Sequence, residues 1–250
     1  MKILTTLIIL ISALSLYAQE PSETFYRASR EYAKGNYKKA YTLFKKIENT
    51  GYVSAEVYYN IGCCSYKLGK KAESILNFER AKKYKPNDDD ISFNLRMANL
   101  RIIDRIDPLP QPLFVRVVRQ ALGYLSADAW SGLAIACAWI AAIFIALYYW
   151  SWKPREKKIY FFLAITAGLA VFITYGLAYW SYKELTDNSN AIVFWESALV
   201  KSAPDEFGSP LFELHEGSKL EILDSQGGWR KIKLLNGAQG WLREEALVRI

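Results

Sequence analysis

Residues 55–88 read AEVYYNIGCCSYKLGKKAESILNFERAKKYKPND, and the positions of glycine, aromatic and proline residues in this stretch decide the fold of the N-terminal half. The chain matches itself when it is shifted by 34 residues. The matched pairs are Tyr32 with Tyr66, Gly35 with Gly69, Phe44 with Phe78, Glu56 with Asp90 and Asn60 with Asn94. A repeat of this length predicts stacked pairs of antiparallel helices, because one pair cannot bury its apolar face alone.

Five positions in this stretch have a physical role in such a helix pair. Gly62 lets the two helices approach closely, and Gly69 allows the chain to turn between them. Pro86 ends the second helix because it lacks the N–H group that a helix needs. Asn87 or Asp88 then offers a side-chain cap to the following helix. The stretch is therefore one helix–turn–helix unit followed by the start of another.

The same stretch carries a family resemblance. The residues concerned are Tyr58-Tyr-Asn-Ile-Gly62, Tyr66-Lys-Leu-Gly69, Ile75, Phe78, Ala81 and Lys85-Pro-Asn87. Together they resemble the tetratricopeptide repeat (TPR), and Tyr32–Ile47 resembles a looser preceding copy. We predict an all-α TPR solenoid over 20–105, with repeats at about 21–54 and 55–88 and a capping helix over 89–105.

The resemblance also implies a ligand-binding groove, which the first helix of each repeat lines in TPR proteins. The matching positions here are Tyr26, Ser29, Tyr59, Asn60, Cys63, Tyr66, Lys67, Asn94 and Arg101. Among them, Asn60, Lys67 and Arg101 are suited to hold a peptide carboxylate or backbone. The alternative is that they are ordinary solvated or packing residues. We interpret Cys63 and its neighbour Cys64 as small apolar fillers.

Residues 1–18 have the layout of a secretory signal peptide. Lys2 is followed by an apolar run from Ile3 to Leu16 and by the small residue Ala18, after which we predict cleavage. The run of about 14 residues is shorter than the roughly 20 that cross a bilayer. The alternative is an uncleaved anchor.

Two later apolar blocks, 129–152 and 159–182, are each long enough to cross a bilayer. Each contains about 21 consecutive uncharged residues, which span the roughly 30 Å hydrocarbon layer as a helix. They are apolar on all sides and edged by tryptophan and tyrosine, as transmembrane helices are. We therefore predict a transmembrane hairpin, with a buried core hairpin as the alternative.

The segment 153–158 between these blocks predicts the orientation of the hairpin. It carries four positive charges and one negative charge, so the positive-inside rule assigns it to the cytoplasm. Both flanking regions then lie outside the cytoplasm, as the signal peptide also predicts. This orientation is that of a two-pass protein in the inner membrane of a bacterium.

The segment 106–126 is predicted to be a linker. Three prolines favour an extended chain at its start, and an amphipathic stretch from Phe114 to Leu125 follows, with Arg116 and Arg119 opposite its apolar side. This stretch either lies in the membrane interface or packs against the repeat module.

The region 191–250 has the texture of a small all-β domain, with short β-type runs between turns. The elements that matter are Leu199-Val-Lys-Ser202, Leu214–Leu223, Gly228-Trp-Arg-Lys-Ile232, Asn236-Gly237, Gly240-Trp241 and Leu247. They resemble a bacterial SH3-like barrel. The resemblance implies that Trp229 and Trp241 fill or line a shallow aromatic cleft, with Trp229 in the core and Trp241 partly exposed.

The order of signal peptide, TPR module, hairpin and SH3-like domain resembles the BatE-type proteins of the bacterial aerotolerance (Bat) operon. That resemblance implies membrane-anchored partners with von Willebrand A domains and a complex linked to a MoxR-type ATPase. We therefore expect an extracytoplasmic scaffold or adaptor that binds proteins through its two modules at the membrane lipid surface. The alternative is a cell-wall (peptidoglycan) binding or sensing module that regulates a hydrolase.

Composition argues against several other functions. His215 is the only histidine and lies far in sequence from the three cysteines, so we expect no enzymatic activity, no metal site and no cofactor. The net charge of +7 arises mainly at solvent-facing helix positions, which argues against nucleic-acid binding. The apolar blocks hold no Asp, Glu, Lys, Arg or His between 129 and 152 or between 159 and 182, which argues against transport.

Overall fold

The computed structural model describes residues 20–107, 109–110 and 112–250, and the predicted signal peptide over 1–18 lies outside this range. The first five helices are α1 (Glu20–Ala33), α2 (Tyr37–Asn49), α3 (Ala55–Lys67), α4 (Lys71–Tyr84) and α5 (Asp89–Asn99). They form two helix pairs followed by a single helix, as the 34-residue repeat predicts. Side-chain caps begin two of them: Ser54 accepts a hydrogen bond from Val57 N, and Asp88 accepts one from Ile91 N.

The repeat residues pack as their spacing predicts. Phe44 and Phe78 are fully buried at equivalent positions of α2 and α4. A Cβ atom on Gly62 would lie only 2.7 Å from the Phe78 ring, so glycine is required where α3 and α4 meet. Ser74 on α4 donates a hydrogen bond of 3.1 Å to the carbonyl of Gly62. The repeat over 55–88 is therefore held by a close helix contact that any larger residue at this position would disturb.

The capping helix is shorter than predicted. It was expected to reach residue 105, but α5 ends at Asn99, and residues 100–107 continue in turns and extended chain. Ile102 from this segment packs against the helical core, and Ile106 packs against the core of the β domain. The segment leaves the helix because its apolar and acidic side chains have partners in the β domain. The start of the predicted linker at residue 106 is accordingly part of a packed region.

The C-terminal region forms one antiparallel sheet of seven strands in the described residues. The strands are β1 (Asn190–Val193), β2 (Ser197–Lys201), β3 (Pro210–His215), β4 (Lys219–Gln226), β5 (Trp229–Leu234), β6 (Gln239–Arg243) and β7 (Leu247–Arg249). Their order across the sheet is β3-β2-β6-β5-β4-β1-β7, so its ladders leave β3 and β7 at the edges. An antiparallel β domain is confirmed, and its closure into an SH3-like barrel stays a prediction. The predicted element Leu214–Leu223 spans the end of β3, a turn and the start of β4, so the sequence did not predict these as two separate strands.

The helices and the sheet are not independent modules. Residues 20–82, 88–107 and 189–250 form one compact unit. Strand β1 shows why, because its side chains alternate between two cores: Ala191 and Val193 face the core of the sheet, while Ile192 packs with Ile75 and Leu76 of α4. Ala191, Ile192 and Val193 are fully buried, since helices cover the second face of the strand. The β domain and the last repeat therefore share one hydrophobic core.

A second unit contains the apolar hairpin. Its helices are α6 (Leu113–Leu122), α7 (Ala127–Trp150) and α8 (Pro154–Thr186). Length and composition make α7 and α8 candidates for crossing a membrane, and only 6% and 11% of their most apolar windows are buried. Helices in the core of a soluble protein are mostly buried, so these two present apolar surface on most sides.

The basic loop predicted over 153–158 is wrong in extent. Helix α8 begins at Pro154, so only residues 151–153 connect the two long helices. Proline is favoured at the first helical position because its fixed φ suits the helix and its missing N–H is not needed there. Lys153 also forms an ion pair of 2.9 Å with Glu156 in the first turn of α8. The positive charges therefore lie at the tight end of the hairpin, mostly on the helix itself.

Candidate functional site

Four of the predicted groove residues are joined in pairs between α3 and the α5 region. The amide of Asn94 donates a hydrogen bond of 2.9 Å to the Tyr59 hydroxyl. The guanidinium of Arg101 stacks 3.6 Å from the centroid of the Tyr66 ring and donates to the Tyr66 carbonyl at 3.1 Å. These contacts join successive first helices of the solenoid, so the four residues shape the groove even where they do not touch a ligand.

In the described part of the chain, the other candidates Asn60, Lys67 and Tyr26 show no hydrogen bond or close ring contact between helices. Asn60 donates its amide N–H to the Glu56 carbonyl in its own helix at 2.8 Å. The Lys67 ammonium lies 6.0 Å from the centroid of the Tyr37 ring, and the Lys67 side chain is exposed. Tyr26 on α1 is 71% exposed. Lys67 at the end of α3 and Arg101 in the turn after α5 supply the positive charge that a peptide carboxylate would need.

The two adjacent cysteines are packed beneath these groove residues. Burial raises the pKa of the Cys63 thiol to about 11, although a hydrogen bond with Tyr59 and the charge of Lys67 act in the opposite direction. Burial and the neighbouring Cys63 raise the pKa of Cys64 to about 12. Both thiols are therefore neutral near pH 7, whereas a reactive cysteine needs a lowered pKa. Their environment suits packing residues.

The same environment acts on two tyrosines near the cysteines, Tyr32 and Tyr59. Burial raises the pKa of Tyr32 to about 12, with smaller effects from Cys63 and Cys64. Burial also raises the pKa of Tyr59, and Cys63 adds to the shift. Tyr32 was not among the predicted groove residues, although its match to Tyr66 one repeat later was a signal that could have identified it. Both hydroxyl groups stay protonated and can act as hydrogen-bond donors.

The two candidate cleft tryptophans share one face of the sheet. In the β5–β6 ladder, Trp229 lies opposite Arg243, and Lys231 lies opposite Trp241. Trp229 is buried, with the Lys201 ammonium 5.3 Å and the Arg243 guanidinium 5.0 Å from its ring. Its surroundings are these cations, and it is not part of the apolar core cluster of the sheet. Trp241 is partly exposed, so the accessible aromatic surface at this face belongs to Trp241.

A polar network that the sequence did not predict joins the helical repeat to the sheet. Asp104 accepts hydrogen bonds from His215 N at 2.6 Å and from the Ser218 hydroxyl at 2.5 Å, both on Oδ2. Its Oδ1 lies 2.8 Å from His215 Nδ1. Burial acts to raise the pKa of Asp104, but the hydrogen bonds from Ser218 and His215 outweigh it and hold the pKa below the ordinary value.

Two further contacts cross the same junction. Lys219 forms an ion pair of 2.7 Å with Glu79 on α4, and both side chains are less than a third exposed. Glu216 Oε1 accepts from the backbone N–H of Ala72 at 3.2 Å, so the β domain supplies a cap to the N-terminus of α4. The partners in each contact are separated by more than 100 positions, one in a helix and the other in the β domain. The local periodicity of the sequence therefore could not pair them.

Comparison with known proteins agrees with the helical part of this description. Residues 55–88 match the tetratricopeptide repeat family model. The fold and this match define a TPR-containing protein whose repeats end against an antiparallel sheet. No curated protein matches the chain. Among the described residues, no group of three or more His, Cys, Asp or Glu side chains is arranged to hold a metal ion.

Proposed function

We propose that this protein is a membrane-anchored scaffold that binds a protein partner in its TPR groove. The observation that carries the proposal is the TPR repeat over 55–88, with Lys67 exposed at the end of its first helix and Arg101 exposed in the turn after α5. TPR repeats suggest protein partners, and the mixture of aromatic and cationic side chains suits an extended peptide with a carboxylate. The unit has no catalytic role in this proposal.

The packing of the repeat against the sheet supports an even number of membrane crossings. Residues 20–107 precede the apolar hairpin and residues 189–250 follow it, yet both contribute side chains to the same core. A chain that crosses a membrane between them must therefore cross it twice and return to the same side. Two helices of suitable length, α7 and α8, meet this requirement.

The charges at the turn of the hairpin support an extracytoplasmic orientation for the scaffold. Lys153, Arg155, Lys157 and Lys158 cluster where α7 meets α8. The positive-inside rule retains such a cluster in the cytoplasm, which directs the TPR groove and the sheet to the outside. In the proposal, the partners are those of a BatE-type protein: von Willebrand A-domain Bat membrane proteins and a complex linked to a MoxR-type ATPase. The C-terminal sheet takes the place of the SH3-like domain in that arrangement.

The groove is tested by removing its two exposed cations. We expect Lys67→Ala and Arg101→Ala each to lower partner affinity about tenfold, because a charge-assisted hydrogen bond contributes roughly 1.5–3 kcal/mol. The measurement is affinity capture from solubilised membranes, with the captured proteins quantified by mass spectrometry. The Asn60→Ala variant, which removes a side chain bonded within its own helix, should have a smaller effect.

Lys46→Ala is the matched control for these variants. Lys46 is an exposed lysine on α2, the second helix of its repeat, so it lies outside the groove in the same domain. It should leave the captured proteins unchanged, and circular dichroism should show the same helix content in all four variants. If the captured proteins were the same for wild type and for the Lys67 and Arg101 variants, the groove would not be the binding site.

One observation favours a second candidate function, the binding of cell-wall peptidoglycan by the β domain. Phe207 is 97% exposed on the loop between β2 and β3. That loop is ordered by Asp205, whose Oδ1 accepts from the backbone N–H of Phe207 at 2.9 Å and of Gly208 at 2.6 Å. An exposed aromatic ring on a loop with this hydrogen-bonded backbone is a suitable platform for an apolar or sugar surface.

Sedimentation with purified peptidoglycan tests this second function. If the β domain binds the polymer, Phe207→Ala should lower the bound fraction about tenfold at limiting polymer, since burial of one aromatic side chain contributes roughly 1.5–3 kcal/mol. Leu223→Ala, at another exposed apolar position of the sheet, is the control. The absence of wild-type binding would leave the protein scaffold as the function.

A further inference from the structure

An open cavity of about 460 Å³ lies within the hairpin unit, between α6 and the last three turns of α8. Its α8 side is formed by residues at positions 176, 179, 180, 183, 184 and 187. These positions recur every three or four residues, so they form one continuous face about 16 Å long at 1.5 Å per residue. Arg119 from α6 forms the opposite side.

The chemistry of this face changes in one direction along α8. Gly176 is at the apolar end, Tyr179 and Trp180 follow, and the charged residues Lys183 and Glu184 lie at the end of the helix. A phospholipid at the edge of a bilayer has the same order of acyl chain, glycerol region and charged headgroup. In membrane proteins, tyrosine and tryptophan are enriched at the depth where the glycerol region meets the charged headgroups. The cavity therefore has the polarity profile of a lipid that stands beside α8.

The apolar end of the cavity has room for a chain. A Cβ atom built on Gly176 would meet no atom within 4 Å. Glycine in the middle of a helix is destabilising relative to alanine, and no neighbour in the described part of the chain lies close enough to require the small residue here. The open strip beside Gly176 continues directly into the aromatic part of the cavity, one turn along the helix.

The charged end carries both signs. Arg119 and Lys183 are cationic, Glu184 and Asp187 are anionic, and Arg119 Nε lies 3.1 Å from Glu184 Oε1. The Asp187 carbonyl also accepts a hydrogen bond from the ammonium of Lys83. Helix α8 ends here, so its C-terminal dipole adds a partial negative charge. A headgroup that carries only negative charge would match half of this arrangement, whereas one with a phosphate and an ammonium matches both signs.

We propose that this cavity binds one glycerophospholipid whose headgroup carries a phosphate and a primary ammonium. Arg119 and Lys183 hold the phosphate, and the ammonium lies near Glu184, because Asp187 already contacts the Lys83 ammonium. One acyl chain lies along the open strip at Gly176. The exposed Arg119–Glu184 pair reorganises at little cost, because ion pairs at exposed sites contribute little to stability. The proposal rests on the membrane anchoring in the proposed function, but not on the TPR groove.

Native mass spectrometry of the delipidated full chain in detergent tests the headgroup. The probes are phosphatidylethanolamine, phosphatidylglycerol and phosphatidylcholine with identical acyl chains. We expect one phosphatidylethanolamine per chain and about tenfold weaker retention of the other two. Phosphatidylglycerol has no ammonium, and the trimethylated ammonium of phosphatidylcholine cannot donate a hydrogen bond. Equal retention of the three lipids, or a preference for phosphatidylglycerol, would overturn the headgroup assignment.

A pair of glycine variants tests the position of the site. Gly176→Leu fills the open strip and should lower retention of phosphatidylethanolamine about tenfold. Gly168→Leu is the matched control, because Gly168 also has open space around its Cβ position but lies eight residues earlier on α8, outside the cavity. It should retain the lipid as wild type does. If both variants behaved alike, the lipid would not be bound beside Gly176.

Two additional measurements separate this proposal from the proposed function. Soluble glycerophosphoethanolamine should not displace the bound lipid at equal concentration, because it has no acyl chain. Displacement would show that the site binds free headgroups rather than a whole lipid.

Extraction of membranes at alkaline pH shows whether the chain is anchored in the bilayer. A chain that is extracted would refute both the anchor and the lipid site. A chain that stays in the bilayer without retaining phosphatidylethanolamine would refute only the lipid site, and lost partner capture with intact lipid binding would refute only the scaffold.

Discussion

Gly217→Ala should lower the free energy of unfolding of the TPR and sheet unit by about 3 kcal/mol, which would make it one of the two most destabilising substitutions proposed for this chain. Gly217 has φ of +95°, a conformation that costs a residue with a Cβ roughly 1–2 kcal/mol. The added Cβ would also lie 2.5 Å from Ile102 Cγ2 and 3.1 Å from Ile75 Cδ1. Neither isoleucine can move without disturbing the core between helices and sheet.

Amide hydrogen exchange of the full chain is the measurement that localises this effect. A loss of about 3 kcal/mol raises exchange through subglobal opening by roughly 100-fold. Because Ile75 is on α4 and Ile102 follows α5, the faster exchange should appear in these helices as well as in the neighbouring strands. Faster exchange confined to the sheet would contradict the idea that sheet and repeat share one core.

Gly228→Ala is the matched control for strain alone. Gly228 has φ of +81° in the turn before β5, but an added Cβ would meet nothing within 4 Å. It should therefore cost roughly 1–2 kcal/mol, and its faster exchange should be limited to the β4–β5 hairpin. The difference between the two alanine variants measures the contact of Gly217 with the helical core, since the conformational strain is common to both.

The sequence predicts each element of the helical repeat because the determining contacts are local. Gly62, Phe78 and Pro86 lie within one 34-residue unit, and their roles follow from helix geometry. The end of α5 was placed six residues too late, because the segment after Asn99 leaves the helix to make contacts that are distant in sequence. The helical periodicity of this segment carries no information about its contacts with residues beyond 190.

The junction between repeat and sheet was missed for a related reason. Strand β1 is a short run of apolar residues, and such a run predicts burial without saying which core each side chain enters. Ile192 points to the helices while its neighbours Ala191 and Val193 point into the sheet, and only the register of β1 with β4 and β7 reveals this division. The choice of candidate groove residues, by contrast, followed from the repeat alignment. What the alignment could not supply is the pairing of Tyr66 with Arg101.

Asp104→Asn should cost about 3 kcal/mol of stability near pH 7, because Asp104 is a buried charge that accepts hydrogen bonds from two residues of the sheet. Its side chain is 14% exposed and that of His215 is 27% exposed, so solvent screens the interaction little. Asparagine keeps the shape and one acceptor oxygen but loses the charge. The measurement is the thermal unfolding of the full chain and the variant at a series of pH values.

The pH dependence of this loss has a defined sign. The pKa of Asp104 is held below its ordinary value in the folded protein, so its stabilising contribution is complete above the unfolded pKa and is lost as pH falls through the folded pKa. Wild type should therefore lose stability relative to Asp104→Asn on acidification, and the two unfolding temperatures should converge well below pH 4. A difference that stayed constant from pH 7 to pH 3 would mean that the carboxylate charge is not the stabilising group.

Ser218→Ala separates the contribution of the Asp104 charge to stability from that of the hydrogen bonds around it. The Ser218 hydroxyl makes the largest contribution that lowers the pKa of Asp104, and His215 contributes through its backbone and side chain. Removing the hydroxyl should cost only about 1 kcal/mol near pH 7, since Asp104 stays ionised with the His215 contacts intact. The acid-induced loss of stability should then be smaller than in wild type and complete at a higher pH, because the folded pKa rises toward its ordinary value while the unfolded pKa is unchanged. Acidification should thus weaken the contact between the sheet and the repeat through protonation of Asp104.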